Sequence, residues 1–112
     1  MTPTRLLACL LGGAALALSG LAHADIPNFT VVAEDGRFTP DTITVPANTR
    51  FRLTLVNKNA GPEEFETPSP LKELVVGPGV TRSTVFPPLK PGTYPFFGEF
   101  HRDTAQGRFI AQ

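Results

Sequence analysis

Three side chains able to hold a metal ion or move a proton stand at alternate positions in one short stretch: Glu99, His101 and Asp103. They lie in PGTYPFFGEFHRDTAQG, residues 91–107, which opens on the turn pair Pro91-Gly92 and ends at Gly107. Alternate side chains of an extended segment share a face, so an extended segment here presents all three together. Imidazole and carboxylate are donors for Cu(II), Zn(II) or iron, with geometry choosing among them. A second acidic group, Glu63, Glu64 and Glu66, surrounds Phe65. In a strand Glu64 and Glu66 point one way and Glu63 and Phe65 the other. With Phe65 in a core, Glu64 and Glu66 cannot both face inward, and the loop geometry decides which carboxylate reaches His101. Carboxylates at a strand edge also have a plainer use, since they stay solvated and discourage edge-to-edge pairing.

Other chemistries find little support. Ser69 and Ser83 sit in proline-rich and strand-like surroundings with no base beside them, and no glycine-rich phosphate loop has the required spacing. Acid–base work is confined to His101 with a carboxylate, so an enzyme is not the reading these residues favour. The chain has 10 Lys and Arg against 10 Asp and Glu, whereas nucleic-acid binding needs a basic stripe.

Arg5, an apolar run over residues 6–21 and Ala22-His23-Ala24 form the basic, apolar and small-residue parts of an export signal. The run is short for a membrane span. Cleavage after Ala24 is expected, leaving a single domain over residues 25–112 in the periplasm. Cys9 precedes most of the apolar run and does not suit lipid attachment. Cleavage removes Cys9, Met1 and His23, so the exported chain has His101 as its only imidazole and no sulfur donor. About 90 residues suffice for one modest core.

The elements that must position the candidate residues are short strands between Gly/Pro turns. Strand-forming runs occupy residues 29–34 (FTVVAE), 42–45 (TITV), 51–56 (FRLTLV), 71–76, 80–86, 93–97 and 107–111, with a short acidic segment at 63–67. Residues 67–70 (TPSP) read as irregular, because prolines remove donors. In 51–56, Phe51, Leu53 and Leu55 alternate with Arg52 and Thr54, the pattern of a strand with one face on a core. No run has a sustained helical period. The expectation is an all-β sandwich of seven to eight strands. Its expected core is Phe29, Val31, Ile43, Val45, Phe51, Leu53, Leu55, Val85, Tyr94, Phe96 and Phe109. The loop carrying His101, between the last two strands, should then lie at one end of the sandwich.

These residues resemble a cupredoxin. FTPDTITVPANTRFRLTLVNKNAGPEEFE has the layout of a cupredoxin N-terminal half, and GVTRSTVFPPLKPGTYPFFGEFHRDTAQGRFIAQ that of the half with the ligand loop. More narrowly, Glu64-Phe65-Glu66, the Val76-Gly77-Pro78-Gly79 region and residues 94–107 resemble periplasmic cupredoxin-like proteins associated with bacterial iron permeases, including EfeO-type iron-uptake proteins. The resemblance implies a Greek-key sandwich, a copper or iron ion as the cofactor, and an inner-membrane iron permease or its periplasmic accessory proteins as partner. It places Glu64, or its neighbour Glu63, where a cupredoxin has its first histidine, and Phe97 where it has the cysteine. Glu64, Glu66, Glu99 and His101 are the expected metal ligands, Glu64 being the one the resemblance favours, and cupredoxin topology implies that the His101 loop meets the 63–66 segment at one end of the sandwich. Blue-copper sites need two imidazoles, a thiolate and a weak axial ligand, so a blue-copper electron carrier is excluded. Two roles remain: metal handling, with assistance to ferrous iron oxidation as its furthest extension, or a metal-free module docking a partner through the Glu99–Asp103 loop.

Overall fold

Alternation of inward and outward side chains builds nine strands among the described residues, arranged in two mixed sheets. The computed structural model describes residues 26–112; the export signal expected at residues 1–24 lies outside the described residues. The strands are β1 (Asn28–Glu34), β2 (Arg37–Thr39), β3 (Thr42–Val45), β4 (Phe51–Asn57), β5 (Glu63–Pro68), β6 (Leu71–Val76), β7 (Thr81–Phe86), β8 (Gly92–Gly98) and β9 (Gln106–Ala111). One sheet has the order β2-β1-β4-β7 and the other β3-β9-β8-β5-β6. Pairing is parallel for β1 with β4 and for β3 with β9, and antiparallel elsewhere. No α-helix occurs among the described residues.

Aromatic rings join the two sheets. Phe51 and Phe86 of the first sheet stack at 5.0 Å, and both meet Phe109 of the second at 5.2 Å. Phe96 lies 4.9 Å from both Phe65 and Phe109, and Phe38 closes the cluster over Phe65 and Phe96. Each fully buried ring contributes on the order of 1.5–3 kcal/mol, so this cluster is the main source of cohesion between the sheets. Tyr94 lies at the margin and donates its hydroxyl to the Lys90 carbonyl at 2.7 Å, the corner bond that ties a crossing loop to a sandwich strand.

The fold is all-β as expected, with differences in detail. The extra strand is β2, whose single inward residue, Phe38, gives no visible alternation. Residues 67–70 are not irregular throughout: β5 continues to Pro68, Thr67 pairs with Lys72 and is buried, and the turn needs only Ser69 and Pro70. In β7 the inward residue at the strand end is Phe86, while Val85 is only half-buried. Phe29 and Tyr94 are also half-buried and pack on the rim of the core.

Candidate functional site

Asn57 ends β4 with no exposed surface and organises the loop that follows. Its Nδ2 donates to the carbonyls of Gly61, Val76 and Gly77 at 3.0–3.1 Å. Its Oδ1 accepts the Asn59 N–H at 2.9 Å. Asn59 Oδ1 in turn accepts the Gly36 N–H at 3.0 Å, and Thr104 Oγ1 donates to the Gly36 carbonyl. Asp35 and Gly36 both have positive φ, 54° and 69°, the Asp-Gly form of a tight hairpin turn. These bonds hold the β1–β2 turn, the loop after β4 and the loop after β8 against one another.

Glu63 opens β5 on the same face as Phe65 and is fully buried. A buried carboxylate survives only with partners, and this one has three. Oε1 accepts the N–H of Phe100 at 3.2 Å and of Glu64 at 3.1 Å. Oε2 lies 2.6 Å from His101 Nδ1. Gly98 provides the space: a Cβ there would stand 2.7 Å from Glu63 Cδ and 2.9 Å from Ala105 Cβ. Its φ of −95° is ordinary extended backbone, so room is the reason for glycine at this position.

The segment carrying His101 is not extended. Glu99–His101 is a turn of 3-10 helix, closed by bonds from Thr104 N–H and Ala105 N–H to the His101 carbonyl and from Gly98 N–H to the Ala105 carbonyl. The turn separates side chains that an extended segment would align. His101 goes inward to Glu63, whereas Glu99 goes outward to Arg102, whose guanidinium lies 2.6 Å from Oε2. Asp103 is exposed and joins neither.

Glu64 and Glu66 leave the outer face of β5, as their register requires. Glu66 pairs in the ladder with Glu73 and Phe97. Desolvation, the Glu99 carboxyl and the charges of Glu73 and Glu64 hold Glu66 above the ordinary carboxylate range. The Arg102 hydrogen bond holds Glu99 below it. Phe97 lies on this outer face under the Arg102 guanidinium, 4.6 Å from ring centre to cation. The residue beside the Glu63–His101 pair is Gly98, not Phe97. Phe96 alone of Phe96, Phe97 and Phe100 packs between the sheets, and Phe100 is 50% exposed.

The expected approach of the His101 loop to the 63–66 segment is therefore present, but it joins only Glu63 to His101 inside, while Glu99 bonds Arg102 outside. Among the described residues, no three His, Cys, Asp or Glu side chains gather where they could hold a metal ion. Glu63 is the residue that the family likeness put second to Glu64; its register with buried Phe65 was the available signal.

Two mixed sheets joined by an aromatic core, with the loop between the last two strands closed over a carboxylate–imidazole pair, have the architecture of a cupredoxin-like domain, without sulfur donors among the described residues. Residues 6–111 match the family model for the cupredoxin-like domain, and the chain belongs to that family. An uncharacterised protein of Rickettsia prowazekii (strain Madrid E) is 40% identical over 80 residues, 71% of this chain; the match spans 64% of that relative's length. Among solved structures the chain is similar to reduced auracyanin from Roseiflexus castenholzii. That match has a TM-score of 0.68 at 14% identity and covers 80% of this chain and 99% of auracyanin. It is also similar to auracyanin A, a "blue" copper protein from Chloroflexus aurantiacus, with a TM-score of 0.65 at 14% identity, covering 76% and 98%. At such identities the likeness is one of fold. A blue-copper ion does not fit the residues present, since 26–112 contain no cysteine or methionine and one histidine.

Proposed function

We propose that this is an exported metal-handling module of cupredoxin fold, taking a copper or iron ion as cargo and serving an inner-membrane iron permease or its periplasmic accessory proteins. The observation that supports this reading is the pairing of Glu63 at the start of β5 with His101 of the loop after β8. Oxygen and imidazole donors from the two segments thus meet where the family resemblance expects a site. Such donors bind Cu(II), Zn(II) and iron without thiolate colour. Few donors and an accessible imidazole edge suit uptake and release better than storage or electron transfer. Calorimetric titration of the protein with Cu(II), Zn(II) and Fe(II) tests it, beside His101→Ala and Glu66→Gln. Weak binding that His101→Ala abolishes is expected. Absence of binding by all three ions, or equal binding by both variants, refutes it.

A second reading has its own observation. Phe100, half exposed at the tip of the loop between Glu99 and His101, offers an apolar anchor for a partner, and on that reading the domain docks without metal. Phe100→Ser then weakens partner capture while leaving metal titration unchanged.

A further inference from the structure

We propose that His101 takes a divalent cation through Nε2 rather than Nδ1, at the cleft between the β1–β2 turn and the loop after β4, with Glu63 as its positioning carboxylate and not a ligand. The proposal rests on the metal-handling reading and specifies its atoms. His101 Nδ1 is occupied by Glu63 Oε2 at 2.6 Å. Glu63 cannot turn away, because its other oxygen is held by two backbone N–H groups. A carboxylate oxygen is an acceptor and a neutral imidazole has one donor and one acceptor nitrogen, so the tautomer that fits this contact has N–H at Nδ1 and the lone pair at Nε2. Histidines that bind metals are commonly oriented in this way, with the other ring nitrogen donating to a carboxylate.

The remaining ring atoms show where that lone pair points. A Cβ on Gly36 would stand 3.0 Å from His101 Cδ2 and 3.4 Å from Cγ, so this edge packs against the Asp35-Gly36 turn. His101 nevertheless keeps 36% of its side-chain surface. With Nδ1 and the Cγ–Cδ2 edge covered, the open part is the Cε1–Nε2 edge. It borders an open cleft of about 580 Å³ lined by Asp35, Gly36, Lys58, Asn59 and Thr104 among others. A water molecule occupies about 30 Å³ in the liquid, so the cleft admits an ion with most of its hydration. Asp35 is the carboxylate on the cleft and attracts a cation; Lys58 opposes it. One nitrogen, one carboxylate and water make a site of low affinity, as cargo requires.

Glu63→Gln gives a distinctive outcome. Two backbone N–H groups need the amide oxygen, so the amide NH₂ faces His101. Nδ1 must then accept, the ring proton moves to Nε2, and the lone pair is lost from the cleft.

Nitrogen NMR of the exported protein labelled in histidine tests this, with His101→Gln identifying the resonances and Zn(II) as the probe. Without metal, Nδ1 should carry the proton and Nε2 should not. Zn(II) should shift Nε2 and leave Nδ1 protonated. Glu63→Gln should reverse the two nitrogens and weaken Zn(II) at least ~10-fold, Asp35→Asn should weaken it, and Lys58→Gln should tighten it. Zn(II) on Nδ1, or a Glu63→Gln ring with unchanged tautomer, overturns this assignment while the metal-handling reading stands. A His101 ring that ignores Zn(II) at millimolar concentration overturns both.

Discussion

Gly98→Ala isolates what holds Glu63 in place. The backbone at Gly98 is extended, with φ −95° and ψ 118°, so alanine adopts it freely. On chain entropy alone the substitution would stabilise by about 0.4–1 kcal/mol. Sterics oppose this. The new Cβ meets Glu63 Cδ at 2.7 Å, Oε2 at 2.8 Å and Ala105 Cβ at 2.9 Å. Overpacking of this kind costs roughly 1–3 kcal/mol. Glu63 can yield only by stretching its bond to His101, and a hydrogen bond to a charged group contributes about 1.5–3 kcal/mol. Together these give a net loss of roughly 2–4 kcal/mol, a large part of the total for a domain this small. Each kcal/mol moves the melting temperature of such a domain by about 4–8 °C.

Urea unfolding measures the loss, and a double-mutant cycle identifies its source. In a Glu63→Ala background the carboxylate is gone, and Gly98→Ala should cost below about 1 kcal/mol, leaving a coupling within the range found for contacting residues. A cost under about 0.5 kcal/mol in the parent, or equal costs in both backgrounds, would show that Glu63 is not confined by Gly98 and would remove the basis for its fixed orientation.

Two further predictions concern the supports of the site. Asn57→Ala leaves the carbonyls of Gly61, Val76 and Gly77 and the Asn59 N–H without their side-chain partner; a loss of roughly 2–4 kcal/mol in urea unfolding is expected, from about 1–3 per buried orphaned group and less for those near water. The outer pair makes stability depend on pH in opposite senses. Glu66 has a raised folded value, so its contribution is present below the ordinary 4.5 and is lost as pH rises through the folded value. Glu99 has a lowered one, so its contribution is present above 4.5 and is lost as pH falls through the folded value. Glu66→Gln should therefore match the parent in acid and exceed it at neutral pH, whereas Glu99→Gln should fall below the parent at neutral pH and converge with it in acid. Thermal melts across that range check both.

Much of the fold was legible because period-2 patterning reports burial directly. Thr42–Val45 and the Phe51, Leu53 and Leu55 alternation occupy the strands expected of them. The expectation failed where pattern and burial separate. A three-residue strand such as β2 has no room for alternation. At Val85 and Phe86 two apolar neighbours compete for the inward place. Alternation also misleads where the chain turns. Glu99, His101 and Asp103 alternate in sequence, yet the 3-10 turn sends Glu99 and His101 to opposite sides of the sheet. Bonds from Thr104, Ala105 and Gly98 make that turn, and backbone bonds of this kind leave no mark on residue type.

The choice among the three glutamates turns on parity. Family likeness favours Glu64, but likeness locates a segment only to within a residue, and in a strand one residue reverses the face. Phe65 meets Phe38, Phe86, Phe96 and Phe109. Turning Glu64 inward would take that ring out of the core, a loss of roughly 1.5–3 kcal/mol before any cavity is counted. No bond from Glu64 to His101 offsets this, because Glu63 already makes that bond with the ring in place. Phe65 thus fixes Glu63 as the inner carboxylate, and Glu63 in turn decides which nitrogen of His101 is free. The orientation of the imidazole follows from an aromatic residue two positions along the strand from Glu63.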